Sequence, residues 1–210
     1  QRTKGRPSQR RCLMSGDLFK SPINKKSIFA PGYSPARTST FQIIMDVRPK
    51  KQLGQHFLTD KNIARKIASA LGNSSDEAIE VGPGTGILTS FLVDSKLKKL
   101  VAMDIDKESI EYLKTIFSDE RLRILHADFL NYPLHELFEG KFMVIGNFPY
   151  NISSQILFRV LEYNTQVTEV VGMFQKEVAE RIISPPGSKK YGILSVLIQA
   201  YYDTSYLFTV

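Results

Sequence analysis

The stretch Ala78-Ile-Glu-Val81-Gly82-Pro-Gly-Thr-Gly86 restricts this chain more than any other. A short apolar run gives way to three glycines in five residues, and an apolar helical pattern follows from Ile87 to about Val93. Strand, glycine turn and helix in that order form the opening unit of a parallel α/β sheet. Glycines allow a tight turn and close backbone approach to a ligand, and the start of the following helix favours an anionic group such as a carboxylate. The spacing is G-x-G-x-G, not the G-x-G-x-x-G of dinucleotide sites. It therefore suits a nucleoside lacking a pyrophosphate. Glu80, just ahead of the turn, fits an amino-group partner.

The remainder of the chain alternates in the same way. Gln52–Asp60 reads as a connector, followed by a helix with Ile63, Ala64, Ile67, Ala68 and Leu71 on one face. Strands are expected at 99–103, 121–125, 142–145, 167–174 and 205–210, and helices at 107–117, from Ser153 as cap, at 175–183 and at 193–202. The pattern predicts a doubly wound sheet. Asp104 ends the second of these strands, 22 residues after Gly82, where an acid can accept hydrogen bonds from ribose hydroxyls. Asp106 is read as a helix cap. Asp128 closes the next strand and can accept from an adenine amino group, with Phe129 as an apolar wall. One such acid is commonly a cap; acids at successive strand ends beside a glycine turn point to a site.

Val144-Ile-Gly-Asn-Phe-Pro-Tyr-Asn151 supplies the other half of that site. An apolar strand breaks at Gly146 into Asn147, Phe148, Pro149 and Tyr150. The Asn147 side-chain oxygen and the Phe148 carbonyl can accept both hydrogens of a planar exocyclic amine, while Tyr150 stacks on its ring. Adenine N6 is such an amine. The same residues also suit a plain strand-end turn in which Asn caps and Tyr packs.

Composition sets outer bounds. The chain has 210 residues, 42% of them apolar, enough for one ordinary core. No run approaches a membrane span. A single cysteine, Cys12, excludes a disulfide framework, and His56, His126 and His135 have no metal-ligand spacing. The net charge of +7 belongs to the leader: residues 1–45 hold nine Lys/Arg against one acid, Asp17, which leaves 46–210 close to neutral. Residues 1–45 are expected to be a basic, disordered leader, read as a transit peptide, upstream read-through or an added extension. Met45 precedes the functional domain, 46–210, as a natural start.

Six motifs in order make the chain similar to the small-subunit rRNA adenine N6,N6-dimethyltransferases, the bacterial kasugamycin-sensitivity family. They are Gly54-Gln-His-Phe-Leu58, Glu80–Gly86, Ala127-Asp128, Gly146–Ser153, Gln175–Arg181 and Tyr191–Val196. The resemblance implies a Rossmann-like methyltransferase sheet and an S-adenosyl-L-methionine site without metal. His56 and Leu58 would border the methionine end, Gly82 the cofactor backbone, Asp104 the ribose, Asp128 the adenine and Asn147 the junction with the target base. Position 56 is commonly asparagine in the family. The implied product is dimethyladenosine at two adjacent sites near the 3′ end of 16S-type rRNA. The implied partner is the small ribosomal subunit, met by a cytoplasmic monomer (mitochondrial if the leader is a transit peptide), with no membrane.

Three other readings stand beside it: a macrolide-resistance large-subunit methyltransferase, a mitochondrial transcription factor, and a non-catalytic RNA-binding assembly factor. The resemblance also implies a seventh strand, antiparallel and inserted between strands five and six, and a helical C-terminal domain. The sequence stops within the sixth expected strand, so both are expected to be missing and the gap between strands five and six to be left open.

Overall fold

The structure, a computed structural model, describes residues 11–16, as backbone only, and residues 57–210. In chain order the strands are β1 (Arg11–Gly16), β2 (Glu77–Val81), β3 (Lys99–Asp104), β4 (Leu122–His126), β5 (Phe142–Asn147), β6 (Val167–Phe174) and β7 (Asp203–Thr209). The helices are α1 (Lys61–Ala70), α2 (Ile87–Val93), α3 (Lys107–Ile116), α4 (Ser153–Glu162), α5 (Lys176–Ile183) and α6 (Ile193–Tyr201). The strands form one sheet in the order β4-β3-β2-β5-β6-β1-β7, and every ladder is parallel.

Parallel strands need helical crossovers, which cover both faces and leave little strand surface to water. The strands obey this: β2, β3, β5 and β6 are buried along nearly their whole length. β7, at the edge, alternates exposed and half-buried residues. Strand alternation then divides the core. Ile79, Val101, Val144 and Val170 pack with α4, α5 and α6 through Ile156, Leu157, Ala179, Ile182 and Ile198. Ala78, Leu100, Met143 and Val171 pack on the other face with Ala64 and Ile67 of α1 and Leu88 and Leu92 of α2. Among the described residues no helix is long and apolar enough to cross a membrane.

Chain order reverses between β2, with β3 on one side, and β5 on the other. At that switch point the carboxyl ends of the strands leave a crevice. The elements expected from the sequence therefore place Val81, Asp104, His126 and Asn147, the last residues of β2, β3, β4 and β5, along one rim of the sheet.

Two expectations are corrected. Arg11–Gly16 is a strand, although low apolar periodicity predicted no ordered structure there; the rest of residues 1–45 lies outside the described residues. Nor is the sheet open between β6 and β7. β1 lies there, parallel to both, with Leu13 opposite Val171 and Ser205. The slot expected to be empty is filled by a segment from the other end of the chain, running in the opposite sense to the antiparallel strand implied by the resemblance. A smaller correction concerns Ser153. It is the first residue of α4, after Ile152, and its hydroxyl donates back to the Tyr150 carbonyl at 3.3 Å rather than capping the helix.

Candidate functional site

The glycine turn adopts the left-handed backbone that its residues permit. Gly82 has φ 72° and Gly84 φ 54°. A Cβ built on Gly84 would stand 2.8 Å from the Phe57 ring, so position 84 excludes any side chain on two grounds. A Cβ on Gly82 would stand 3.7 Å from Pro149 Cδ and 3.8 Å from the Asn147 carbonyl oxygen. The two turns, distant in sequence, thus form adjoining walls.

Three carboxyl groups face this cleft, and their surroundings differ. Asp104 is 7% exposed. Its Oδ1 accepts from the Asp106 amide at 2.9 Å and its Oδ2 from the Gly84 amide at 3.4 Å. Burial pushes its pKa up, and those backbone donors pull it partly back. The expected cap role of Asp106 holds: its side chain accepts from the Glu108 amide and the Ser109 hydroxyl. Asp128 accepts from the Leu130 amide at 2.9 Å and from the Asn131 side chain, so it also ties its own loop. Each of its oxygens keeps a second lone pair for a ligand.

Glu80 is the unusual member. It is 1% exposed, and among the described residues its Oε2 has no hydrogen-bond partner. Burial pushes its pKa up to about 8; the Thr89 hydroxyl opposes the shift without reaching a well-formed bond, and the Asp104 carboxylate adds to it. An acid held at a cleft wall with an unsatisfied oxygen suits a donor arriving with a ligand.

The Asn147–Tyr150 turn is fixed from beneath. The Phe148 ring is 1% exposed and meets Phe174 edge-on, with centroids 5.1 Å apart. It lies over two glycines: a Cβ on Gly146 would stand 2.9 Å from it, and one on Gly172 2.3 Å. Only the backbone of Phe148 is left to face the cleft. Asn147 ends β5 opposite Met173, and the Ile152 amide donates to the Pro149 carbonyl at 3.2 Å, closing the turn.

One cleft is lined by Leu58, Gly82, Asp104, Asp128, Asn147, Phe148, Pro149 and Tyr150 together with Glu80. His56 lies outside the described residues. Sequence reasoning passed over Phe57, Ile105 and Leu130, which also line the cleft, and Gly172 and Phe174, which seat the Phe148 ring. Ile105 carried a legible signal. It follows directly on a strand-end acid, and the structure leaves it 55% exposed at the cleft. For Gly172 the signal was a glycine inside an apolar strand, a mark of close approach by another group.

Comparison with known proteins agrees with this geometry. The family model described as ribosomal RNA adenine dimethylase matches residues 47–210. Ribosomal RNA small subunit methyltransferase A of Flavobacterium johnsoniae is 55% identical over 166 residues, which cover 78% of this chain and 63% of that protein. The protein of the same description from Cytophaga hutchinsonii is 53% identical, over 78% of this chain and 64% of its own length. The chain therefore spans somewhat less than two thirds of the curated relatives it matches. Among solved structures, a dimethyladenosine transferase from Plasmodium falciparum aligns with TM-score 0.57 at 32% identity, over 69% of this chain and 52% of that one. The 23S rRNA methyltransferase ErmE aligns with TM-score 0.57 at 25% identity, over 69% and 57%.

Proposed function

The chain belongs to the ribosomal RNA adenine dimethylase family, and on that footing we propose that it methylates N6 of adenosine in small-subunit rRNA with S-adenosyl-L-methionine as donor. The observation that carries this reading is the convergence on one cleft of the glycine turn, the strand-end acids and the Asn-Phe-Pro-Tyr turn.

The residues fit the cofactor. The positive-φ turn at Gly82 leaves room for a ligand's backbone, and the orphaned oxygen of Glu80 suits its ammonium group. Asp104, held by two amides, would accept from the ribose hydroxyls. Asp128 would accept from the adenine amino group, and Ile105 and Leu130 offer apolar surface to the ring. Leu58 would border the methionine end, and His56 is assigned there from sequence alone. When bound, the sulfonium supplies an already activated methyl group, so the protein needs no metal and no covalent nucleophile.

The chain's own work is placement. Asn147 Oδ1 and the Phe148 carbonyl would accept the two N6 hydrogens of the target adenosine. That favours the pyramidal amine, whose lone pair is no longer drawn into the ring. Accepting these hydrogens costs little reorganisation because Phe148 is clamped between Gly146 and Gly172. Tyr150 would stack on the flipped base, worth roughly 1–3 kcal/mol. A second methylation requires the same pocket to admit the monomethyl amine, so Asn147 then has one hydrogen fewer to accept. The proton lost from N6 leaves to solvent.

The test is methyl transfer from labelled cofactor to undermodified small subunits, large subunits and naked RNA in parallel. Transfer to small subunits alone is the expected result. Transfer to large subunits alone would favour the reading suggested by the likeness to ErmE. Cofactor binding with no transfer to any of them would favour an assembly factor.

A further inference from the structure

We propose that Glu80 carries a proton while the cleft is empty and releases it to solvent when a cationic group of the cofactor arrives beside it, so that cofactor binding is coupled to proton release. The proposal rests on the reading of the cleft as an S-adenosyl-L-methionine site.

The geometry gives an ionised Glu80 little support. Its carboxyl belongs to β2, between β3 and β5, where it pairs with Ala102 and Ile145. From β3 the charge it meets is another acid, Asp104. From α2 it meets the hydroxyl and the backbone amide of Thr89, which favour the charged form but are outweighed by burial. β5, Phe-Met-Val-Ile-Gly-Asn, brings no charge, nor do Phe57 and Leu58 across the cleft. A carboxylate in such surroundings is almost shut off from solvent and, among the described residues, meets no cation and has one oxygen without a donor. The protonated form removes the charge at once. Burial accordingly raises its pKa to about 8, above the pH of ordinary assay.

A ligand ammonium reverses each of these terms. It supplies an N–H donor to Oε2 and a positive charge beside a buried acid, and both favour the carboxylate. The balance is simple: the carboxyl O–H bond breaks, its electron pair stays on oxygen, and the proton passes to buffer. Asp104 is already held by two amide donors, so its own ionisation depends less on the ligand. Selectivity follows too. A neutral analogue lacking the amino group would find a protonated acid offering an O–H and would gain no ion pair.

Calorimetric titration of the full chain with S-adenosyl-L-methionine, in buffers of differing ionisation enthalpy, measures the protons released. At pH 7 close to one proton per site is expected from Glu80, taken as the difference between the wild-type chain and Glu80→Gln. That difference should fade above pH 9. Infrared difference spectra should show a protonated carboxyl band lost on binding and missing from Glu80→Gln. Binding with no such difference in proton release, or with no carboxyl band lost, overturns the proposal while leaving the site assignment intact. Failure of the wild-type chain to bind the cofactor at all refutes the site reading itself.

Discussion

Gly172→Ala tests how the target-base turn is held. Position 172 lies in mid-β6 opposite Gly146, and its backbone has an ordinary φ, so alanine meets no backbone strain there. The obstacle is the ring above it. The added Cβ would stand 2.3 Å from Phe148 Cε2, 2.7 Å from Cδ2 and 2.8 Å from Phe174 Cε2. Gly146 borders the ring's other edge, so a displaced ring would carry the adjoining Asn147 and Pro149 with it. Overpacking of this kind costs about 1–3 kcal/mol, offset by about 0.4–1 kcal/mol from the stiffer unfolded chain. A net loss of about 1–2 kcal/mol is expected in urea unfolding. The effect on turnover should be larger: a shift near 1 Å in amine-holding groups can cost about a hundredfold. Cofactor affinity should change little, since Asp104 and Glu80 are untouched. Phe148→Leu in the Gly172→Ala background should restore part of the lost stability, and the double-mutant cycle should give a coupling of about 1 kcal/mol. Gly187→Ala is the control. With φ 84° and nothing within 4 Å, it should cost about 1–2 kcal/mol in stability and leave turnover unchanged. Additive effects of Gly172→Ala and Phe148→Leu, with turnover intact in the first, would refute the clamp.

Other outcomes are equally specific. Without ligand, Glu80→Gln should be more stable than the wild-type chain by about 3 kcal/mol at pH 7. Below pH 4.5 both folded and unfolded states keep the Glu80 proton. Between 4.5 and about 8 only the unfolded chain loses it, so wild-type stability falls relative to that of the variant as pH rises; a stability difference that is the same at pH 5, 7 and 9 would rule this out. Asp104→Ala should weaken cofactor binding by on the order of 1.5–3 kcal/mol in calorimetry, through lost charge-assisted bonds to ribose. Asn147→Ala should lower turnover more than cofactor affinity, and a wild-type rate on small subunits would remove the amine cradle. Deleting residues 1–16 should lower stability by more than about 2 kcal/mol, since two ladders are lost, and should accelerate amide exchange in β7; unchanged protection there would remove β1 from the sheet.

Much of the site was legible because strand ends in a parallel sheet are forced together. Once Ala78–Val81, 99–103 and 142–145 read as parallel strands, Gly82, Asp104 and Asn147 had to share one rim, whatever the packing between them. What escaped was set by side chains meeting across the core. Phe148 read as part of a base-facing turn, but its ring points inward onto Gly172, a residue 24 positions away that carries no chemistry of its own. Asp128 read as a ligand acceptor, and it also braces its own loop through Leu130 and Asn131. A carboxylate's local and ligand-directed bonds look identical in sequence.

The slot between β6 and β7 illustrates a different limit. β6 and β7 do not pair with each other; α5 and α6 form the crossover between them, and the two strands stand two strand spacings apart, roughly 10 Å. At that spacing the facing edges of β6 and β7 present two rows of backbone donors and acceptors that require a partner, and β1 supplies it. Backbone pairing is largely blind to side-chain identity, so the slot can be satisfied by any segment that reaches it extended. Arg11-Cys-Leu-Met-Ser-Gly16 shows no period-two pattern that would mark it as a strand, and its ladder with β7 slips between Met14 and Ser15. Its pairing with both neighbours is thus not announced by any strand pattern of its own.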